Sequence, residues 1–181
     1  YSTAGTAYVV TVVGSMAYVA YGNAGLQIIN VTNSSAPYVL GTYGTPSLAR
    51  GLTVVGSIAY IADTTSLQII DVSDPTSPLF LGSFPTSDEA WWVEVIGLIA
   101  YVTDGGDGFR VIDVSDPTSP TQMSSYDTPG YAWGLTVAND IAYVADGTAG
   151  LLMFGNIIIA PSGQPSGAPT LQPSAQQSTS A

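Results

Sequence analysis

The chain has 181 residues, of which 46% are hydrophobic and only 8% are charged, and its two arginines are outnumbered by 13 acidic residues to give a net charge of −11. Such an acidic chain lacks the basic surface that nucleic acids and anionic membranes require. It has no His, Cys or Lys, which excludes histidine bases, thiol nucleophiles, Schiff-base chemistry and the usual zinc ligands. No apolar run is long enough for a transmembrane helix, so we expect no membrane insertion. Because the chain begins at Tyr1 rather than Met, we expect a mature or partial chain.

A repeat of about 42 residues organises the chain, and each copy contains the same strand-like pieces. In the first copy, residues 8–14 and 16–20 are two β-rich pieces joined through Gly14 and Ser15, a pair typical of a tight hairpin. A third piece follows a loop rich in Gly and Asp, and a fourth piece follows a Pro. Residues 1–160 show no helical periodicity.

Four short strands per period are the signature of a β-propeller blade. One four-stranded sheet has two apolar faces that it cannot cover alone, whereas blades packed face to face cover each other. We therefore predict an all-β fold. It consists of a β-propeller of four blades over residues 1–160, with an atypical or strand-deficient last blade, and an extended Pro-rich tail over residues 161–181.

Two segments carry a family resemblance: Ile70-Asp-Val-Ser-Asp-Pro75 and Ile112-Asp-Val-Ser-Asp-Pro117. Together with the preceding Ala-Tyr-Ile-Ala-Asp, they resemble the LVIVD repeat, a propeller-forming unit of cell-surface and secreted proteins. In the first copy Asn30 and Asn33 replace the two aspartates, and in the fourth Gly155 breaks the motif. The resemblance implies a propeller fold and an extracellular or cell-surface location, and it implies no catalytic residues.

The last repeat ends without the Pro-bounded fourth piece. Either Gly155 and Asn156 form a tight turn before a short fourth strand at residues 157–160, or the last blade keeps an open edge that another chain can pair with. Ile157, Ile158 and Ile159 are too apolar to remain in water, so we regard them as a candidate assembly edge.

Sugar attachment is predicted at two places. Asn30 and Asn33 begin two overlapping sequons on a predicted exposed turn and are candidate N-glycosylation sites. The tail resembles the stalks and linkers of secreted and surface proteins, and its composition favours polyproline II or disorder. It is either a flexible linker or a glycosylated stalk, whose candidate modified residues are Pro161, Ser162, Pro165, Ser166, Pro169, Thr170, Pro173 and Ser174.

Asp88, Glu89 and Glu94 are the acids that break the repeat pattern, and they lie next to Trp91 and Trp92. Acids beside tryptophans can hold a sugar, and a carboxylate pair is also the machinery of glycosidases. The alternative is that the tryptophans, Trp133 included, pack the blades against each other.

Calcium is a second ligand to consider, because acids recur in the loops. The acids of the Asp-Val-Ser-Asp-Pro turns also have a structural explanation, since Asp side chains bond nearby backbone N–H groups. Asp104 and Asp107 lie in a loop that only loosely resembles a calcium site, and because the equivalent loops keep one acid or none, a Gly-rich turn is the favoured interpretation. The candidate pairs are Asp71 with Asp74, Asp113 with Asp116, and Asp104 with Asp107.

The sequence thus predicts an extracellular structural glycoprotein that self-associates into a homo-oligomer or filament through apolar faces and edge strands. The absence of Lys agrees with this, because Lys is a common guard against edge pairing. The alternative is a surface module that recognises glycans or calcium. No enzymatic activity and no cofactor are predicted.

Overall fold

The computed structural model describes residues 5–155 and residue 157, and the described chain is built from antiparallel β-strands with almost no helix. The prediction of an all-β fold is therefore confirmed. The strands are β1 Val9–Val13, β2 Met16–Ala20, β3 Leu26–Asn30, β4 Tyr38–Tyr43, β5 Gly51–Val55, β6 Ile58–Ala62, β7 Thr64–Asp71, β8 Leu79–Ile96, β9 Ile99–Asp104, β10 Phe109–Asp113, β11 Thr121–Tyr126, β12 Gly134–Ala138, β13 Ile141–Ala145 and β14 Leu151–Gly155. A 3₁₀ turn covers Gly147–Ala149. Across the described part of the chain, no helix has the length and apolar character needed to cross a membrane.

Each repeat folds as a meander in which every strand pairs with the next one along the chain. Strand β8 is long because residues 79–85 pair with β7 and residues 90–96 pair with β9, so two repeats share one continuous strand. We name the repeats unit 1 (β1–β4), unit 2 (β5–β7 and residues 79–85), unit 3 (residues 90–96 and β9–β11) and unit 4 (β12–β14). Within the described residues unit 4 has three strands. The predicted fourth strand at residues 157–160 lies outside the described residues, except for Ile157.

The first two strands of every unit form the predicted two-residue hairpin. In the first three units the turn begins with a glycine of positive φ, Gly14, Gly56 and Gly97. In unit 4, Asn139 and Asp140 both adopt positive φ instead. These are the backbone angles that match a tight turn to the twist of the two strands it joins.

Consecutive units pack face to face through buried apolar side chains. Leu26 and Ile28 of unit 1 share one core cluster with Leu52 and Ile61 of unit 2. Units 2 and 3 share a second cluster, and units 3 and 4 a third. The core of the molecule therefore lies at the joints between units, because a single sheet has no second layer of its own.

Glycines mark the places where one unit meets the backbone of the next. A Cβ on Gly41 would collide with the carbonyl oxygen of Pro75, and a Cβ on Gly82 would collide with that of Pro117. Both prolines belong to the Asp-Pro turn of the following unit. Ser124 takes the equivalent position in unit 3, and the unit that follows it has no Asp-Pro turn.

The units are arranged in a series whose ends do not meet in the described residues. First strands of consecutive units pack against each other, β1 with β5, β5 with β8 and β8 with β12. Within residues 5–155, β1 and β12 do not pack against each other in this way. The described chain therefore lacks the closing contact that a ring of four units would need.

Candidate functional site

One position before β1, β5 and β12, and at the equivalent position inside β8, each unit places a large side chain at the same end of the packed first strands. The residues at this position are Tyr8, Arg50, Trp91 and Trp133. The guanidinium carbon of Arg50 lies 3.5 Å from the centre of the Trp91 ring. The rings of Trp91 and Trp133 contact each other edge to face, with their centres 4.5 Å apart. Since the first strands pack in order, these side chains form a continuous row over units 2, 3 and 4.

The position two residues earlier adds Glu89 and Tyr131 to the row. An Arg50 guanidinium nitrogen donates to Oε2 of Glu89 at 2.9 Å, and the Tyr131 hydroxyl donates to the same oxygen at 2.8 Å. The Trp91 indole N–H donates to the Tyr131 hydroxyl at 2.8 Å. The hydrogen bonds from Tyr131 and Arg50 lower the pKa of Glu89 below its ordinary value, which keeps this carboxylate ionised at neutral pH.

We call Arg50, Glu89, Trp91, Tyr131 and Trp133 the aromatic cluster. Its outermost member, Trp133, is 48% exposed and also contacts Tyr131, with the ring centres 4.8 Å apart. An exposed aromatic surface beside an ordered carboxylate and guanidinium offers stacking to an apolar ligand face and hydrogen bonds to its polar edge. An ionised Glu89 is a hydrogen-bond acceptor, and it is poorly suited to act as a general acid.

A pocket of about 330 Å³ lies at the corresponding place between units 1 and 2. Thr6 and Leu48, the equivalents of Glu89 and Tyr131, line it together with Tyr8 and Tyr21. The Tyr21 hydroxyl is buried and has no hydrogen-bond partner among the described residues. The pocket therefore has fewer charged groups than the aromatic cluster.

The four residues of the predicted ligand face separate into two groups. Glu89 and Trp91 belong to the aromatic cluster. Trp92, next along an extended strand, packs instead against the core between units 3 and 4. The Asp88 carboxylate accepts the backbone N–H of Gly106 at 2.7 Å and so fixes a turn. The structure thus brings together half of the predicted face and adds Arg50, Tyr131 and Trp133.

Three aspartates are fully buried, each at the end of the second strand of its unit or directly after it: Asp63, Asp104 and Asp146. Of these, only Asp104 is a candidate from the sequence, and only as a calcium ligand. Each one accepts a backbone N–H from the segment that leads into the same unit, as Asp146 does from Gly130 at 2.8 Å. These carboxylates lock the start of a unit to its second strand. The signal in the sequence is the recurrence of Asp at this position in three of the four copies; Tyr21 replaces it in the first.

The loop that loosely resembles a calcium site is organised by Arg110. The Arg110 guanidinium pairs with the buried carboxylate of Asp104 and lies 3.8 Å from that of Asp107. A positive charge between the two acids occupies the place that a cation would need. Among the described residues, no three acidic side chains converge closely enough to hold a metal ion.

The turn residues of the LVIVD-like motif bond their own backbone. Asp74 accepts the Thr76 backbone N–H at 2.9 Å, and Asn33 accepts that of Ser35 at 3.0 Å. In units 2 and 3, hydrogen bonds from the serine or threonine two residues on lower the pKa of each turn aspartate. Asn and Asp therefore perform the same local role.

The candidate assembly edge is described only at Ile157, whose side chain is fully buried in the cluster between units 3 and 4. Its side chain is thus part of the core and unavailable to a partner. Ile158, Ile159 and the candidate modified tail residues lie outside the described residues. The exposed apolar side chains of the last unit are instead Leu151 and Met153 on β14.

The model of the LVIVD repeat matches residues 4–45, 48–86, 88–128 and 129–153, so the chain belongs to the LVIVD-repeat family. The family resemblance inferred from the sequence is therefore confirmed. No curated protein sequence matches the chain.

Several solved structures share the fold at low sequence identity. The chain is 8% identical to the computationally designed protein Ika4, with a TM-score of 0.70, covering 85% of this chain and 93% of Ika4. It is 8% identical to the designed protein Ika8, with a TM-score of 0.69, covering 83% of this chain and 46% of Ika8. It is 12% identical to a functionally unknown protein from Desulfotomaculum acetoxidans DSM 771, with a TM-score of 0.70, covering 82% of this chain and 54% of that one. The chain thus spans about half the length of two of these proteins.

Proposed function

We propose that this chain is an extracellular structural protein that self-associates through the apolar faces of its terminal units. The observation that carries the proposal is that both ends of the series of units expose apolar side chains, Val10 and Val12 at one end and Leu151 and Met153 at the other. Repeat arrays that stay monomeric usually end in units with a polar outer face. Exposed apolar surface at both ends is therefore a surface for assembly.

The units themselves are proposed to be the blades of a β-propeller. Four meandering units of about 40 residues that pack face to face through consecutive first strands support this architecture. The chain contributes four such blades, the last of them strand-deficient in the described residues. Because β1 and β12 do not pack against each other as consecutive first strands do, we propose a ring of more than four blades.

An extracellular location is supported by the two sequons of unit 1. Asn30 and Asn33 lie at a turn whose neighbouring residues are exposed, and each uses its Oδ1 atom to accept a backbone N–H at 3.0 Å. This leaves the amide nitrogen, the atom that carries an N-linked glycan, directed away from that bond. Treating native protein with an N-glycosidase should lower its intact mass, and the Asn30→Gln, Asn33→Gln double variant should show no such change.

The assembly proposal is tested by electron microscopy of native material together with its mass in solution. Closed rings, fibres or arrays, with a particle mass above the 18.6 kDa of the bare chain after deglycosylation, are expected. Deglycosylated particles that stay at the bare-chain mass at every concentration would contradict it.

Glycan recognition at the aromatic cluster is the second candidate, because the exposed ring of Trp133 lies beside an ordered carboxylate and guanidinium. Retention on a glycan array is expected, and Trp133→Ala should abolish it. Leu98→Ala, which removes another exposed apolar side chain elsewhere, is the matched control and should leave binding unchanged. We expect no enzymatic activity, since the chain has no His, Cys or Lys to serve as a base or nucleophile.

A further inference from the structure

We propose that two copies of this chain close a single ring of eight units, with unit 4 of each copy packed on unit 1 of the other. The inference rests on the proposed self-association and names its partner and its two surfaces. The face of unit 4 and the β1 part of the face of unit 1 are exposed counterparts of surfaces that are buried inside the chain.

The free face of unit 4 has the same composition as three faces that are buried. At one position of the third strand, Leu26, Leu67 and Phe109 are fully buried, whereas Leu151 is 67% exposed. Two residues further along, the residues of the first three units are again fully buried, whereas Met153 is 62% exposed. Unit 4 therefore presents the surface on which a next unit packs, without that unit.

The free face of unit 1 is the complementary surface. Its Val10 is 61% exposed, while the equivalent residues are at most 6% exposed: Leu52, Val93 and Leu135. Val12, two residues along the same strand, is exposed to the same extent. Other residues of this face, such as Val19, are already covered, so the exposed part is a compact apolar ridge along β1.

A glycine shows that unit 4 has room for the backbone of a further unit. A Cβ on Gly51 would lie 2.8 Å from the carbonyl oxygen of Trp91 in the next unit. Gly134 is the equivalent residue of unit 4, and a Cβ placed there has nothing within 4 Å. The open space at Gly134 would admit the start of β1 from a second copy.

The row of aromatic rings would continue across the same joint. Arg50 contacts Trp91 and Trp91 contacts Trp133, which ends the row half-exposed. In a joint built like those inside the chain, Tyr8 of a second copy would take the next place beside Trp133. Tyr8 is itself exposed in the single chain.

The number of copies follows from the extent of the fold. The chain covers 93% of Ika4 but only 46% of Ika8, so a series of this size occurs both alone and as about half of a longer chain. A head-to-tail contact gives a closed ring if its rotation closes and a filament if it does not. Two copies of this chain would together have about the extent of that longer chain of the same fold, which is why we propose a ring of two.

The experiment is a mass measurement by light scattering and native mass spectrometry on the full 181-residue chain. The expected mass is twice 18.6 kDa. Gly134→Val should return it to the monomer while leaving the circular dichroism spectrum unchanged, because the added side chain meets only the partner. Gly44→Val is the matched control, since that glycine also has open space around it and lies away from the joint; it should keep the twofold mass.

A charge exchange tests the pairing of the two faces directly. Val10→Lys and Met153→Glu should each give monomers when alone, because each buries an unpaired charge in both joints of the ring. Mixed together, they should form a two-copy ring with one native joint and one Lys–Glu joint. Failure of the mixture to associate, with both variants folded, would overturn the pairing.

Other masses separate this inference from the proposed function. A ladder of masses or a fibre would overturn the two-copy ring and leave self-association standing. A twofold mass insensitive to Gly134→Val and to the charge changes would do the same. A monomer at every concentration would overturn both, and if removal of residues 161–181 then produced the twofold mass, the tail would be the occupant of these faces.

Discussion

Val93 and Val10 occupy the same position in the first strands of units 3 and 1, yet Val93 is fully buried and Val10 is largely exposed. The local sequence around them is similar, and each strand forms the same kind of two-residue hairpin with the next strand of its own unit. The difference is that unit 2 packs on Val93, whereas no unit of the described chain packs on Val10. In this fold, burial is determined by the neighbouring unit rather than by the unit that carries the residue.

The interior joints and the two ends have similar apolar side chains, but they differ in how much burial of those side chains stabilises the single chain. Burying a Val or Leu side chain stabilises a protein by about 1.5–3 kcal/mol. At an interior joint that gain belongs to the chain itself. At the ends the same side chains contribute nothing until a partner covers them, which is why equivalent substitutions should have unequal effects.

The largest expected difference is between Leu67→Ala and Leu151→Ala, equivalent leucines of units 2 and 4. Leu67 is fully buried, so its truncation should leave a cavity and lower the free energy of unfolding by about 2–5 kcal/mol. Leu151 is exposed, and its truncation should cost less than about 0.5 kcal/mol. Urea unfolding followed by tryptophan fluorescence, at high dilution, measures both.

If Leu67→Ala and Leu151→Ala lowered the free energy of unfolding equally, the proposed difference between interior joints and open ends would be wrong. If Leu151→Ala lowered stability only at high protein concentration, this would support the difference, because it would show that a second copy covers the exposed face of unit 4.

Gly51→Ala and Gly134→Ala test the same contrast through the backbone. The new methyl group at Gly51 would press on the backbone of Trp91 in the next unit, and overpacking of this kind costs about 1–3 kcal/mol. At Gly134 nothing lies within reach, so the free energy of unfolding of the single chain should stay the same or rise slightly. Thermal unfolding of the two variants at low concentration compares them, and a destabilised Gly134→Ala chain would contradict the open end.

A hydrogen bond across the joint gives a smaller effect. The Thr53 hydroxyl donates to the carbonyl oxygen of Val93 in the next unit at 2.7 Å, whereas the side chain of Thr136, its equivalent in unit 4, is exposed. Thr53→Val should cost about 0.5–1.5 kcal/mol, the net contribution of one such bond. Thr136→Val should be close to neutral in the same urea titration, and a similar cost at both threonines would show that the bond to Val93 is not what matters.

The sequence predicts the strands and hairpins, which repeat in every unit, but it does not predict how the two ends of the series differ from the interior joints. The spacing of about 42 residues predicts the strands and hairpins, because each unit has the same turn residues and alternation. It cannot show that the two ends of the series stay open, since the apolar pattern of unit 1 is the same whether or not a neighbour covers Val10. Whether β1 packs against β12 depends on the angle between consecutive units, which no local sequence pattern encodes.

The aromatic cluster could be predicted only in part, for a similar reason. Two adjacent tryptophans on a strand must point to opposite faces, but Trp91 and Trp92 alone do not reveal which one reaches the surface. Arg50 and Trp133 enter the cluster from other units, 41 and 42 positions away along the chain from Trp91. Aligning the four copies position by position is the signal that would have found them.

The smallest expected effect concerns the turns, where unit 1 differs from units 2 and 3 in sequence but keeps the same hydrogen bonds to the backbone. Hydrogen bonds from the following Ser or Thr lower the pKa of four aspartates, Asp71, Asp74, Asp113 and Asp116. A folded-state pKa below the ordinary value means that the turn stabilises the fold above that ordinary value. This contribution is lost as the pH falls through the folded pKa.

Replacing all four aspartates by Asn copies the chemistry of Asn30 and Asn33 into units 2 and 3. The unfolding midpoint at neutral pH should hardly change, because an Asn side chain accepts the same backbone N–H. Below about pH 4 the variant should lose less stability than the parent chain, since it has no turn carboxylates to protonate. If the variant lost the packing between units 2 and 3 at neutral pH, the turn aspartates would be what holds the interior joints together. The exposed end at unit 1 would then result from its Asn turns and not from the absence of a neighbouring unit.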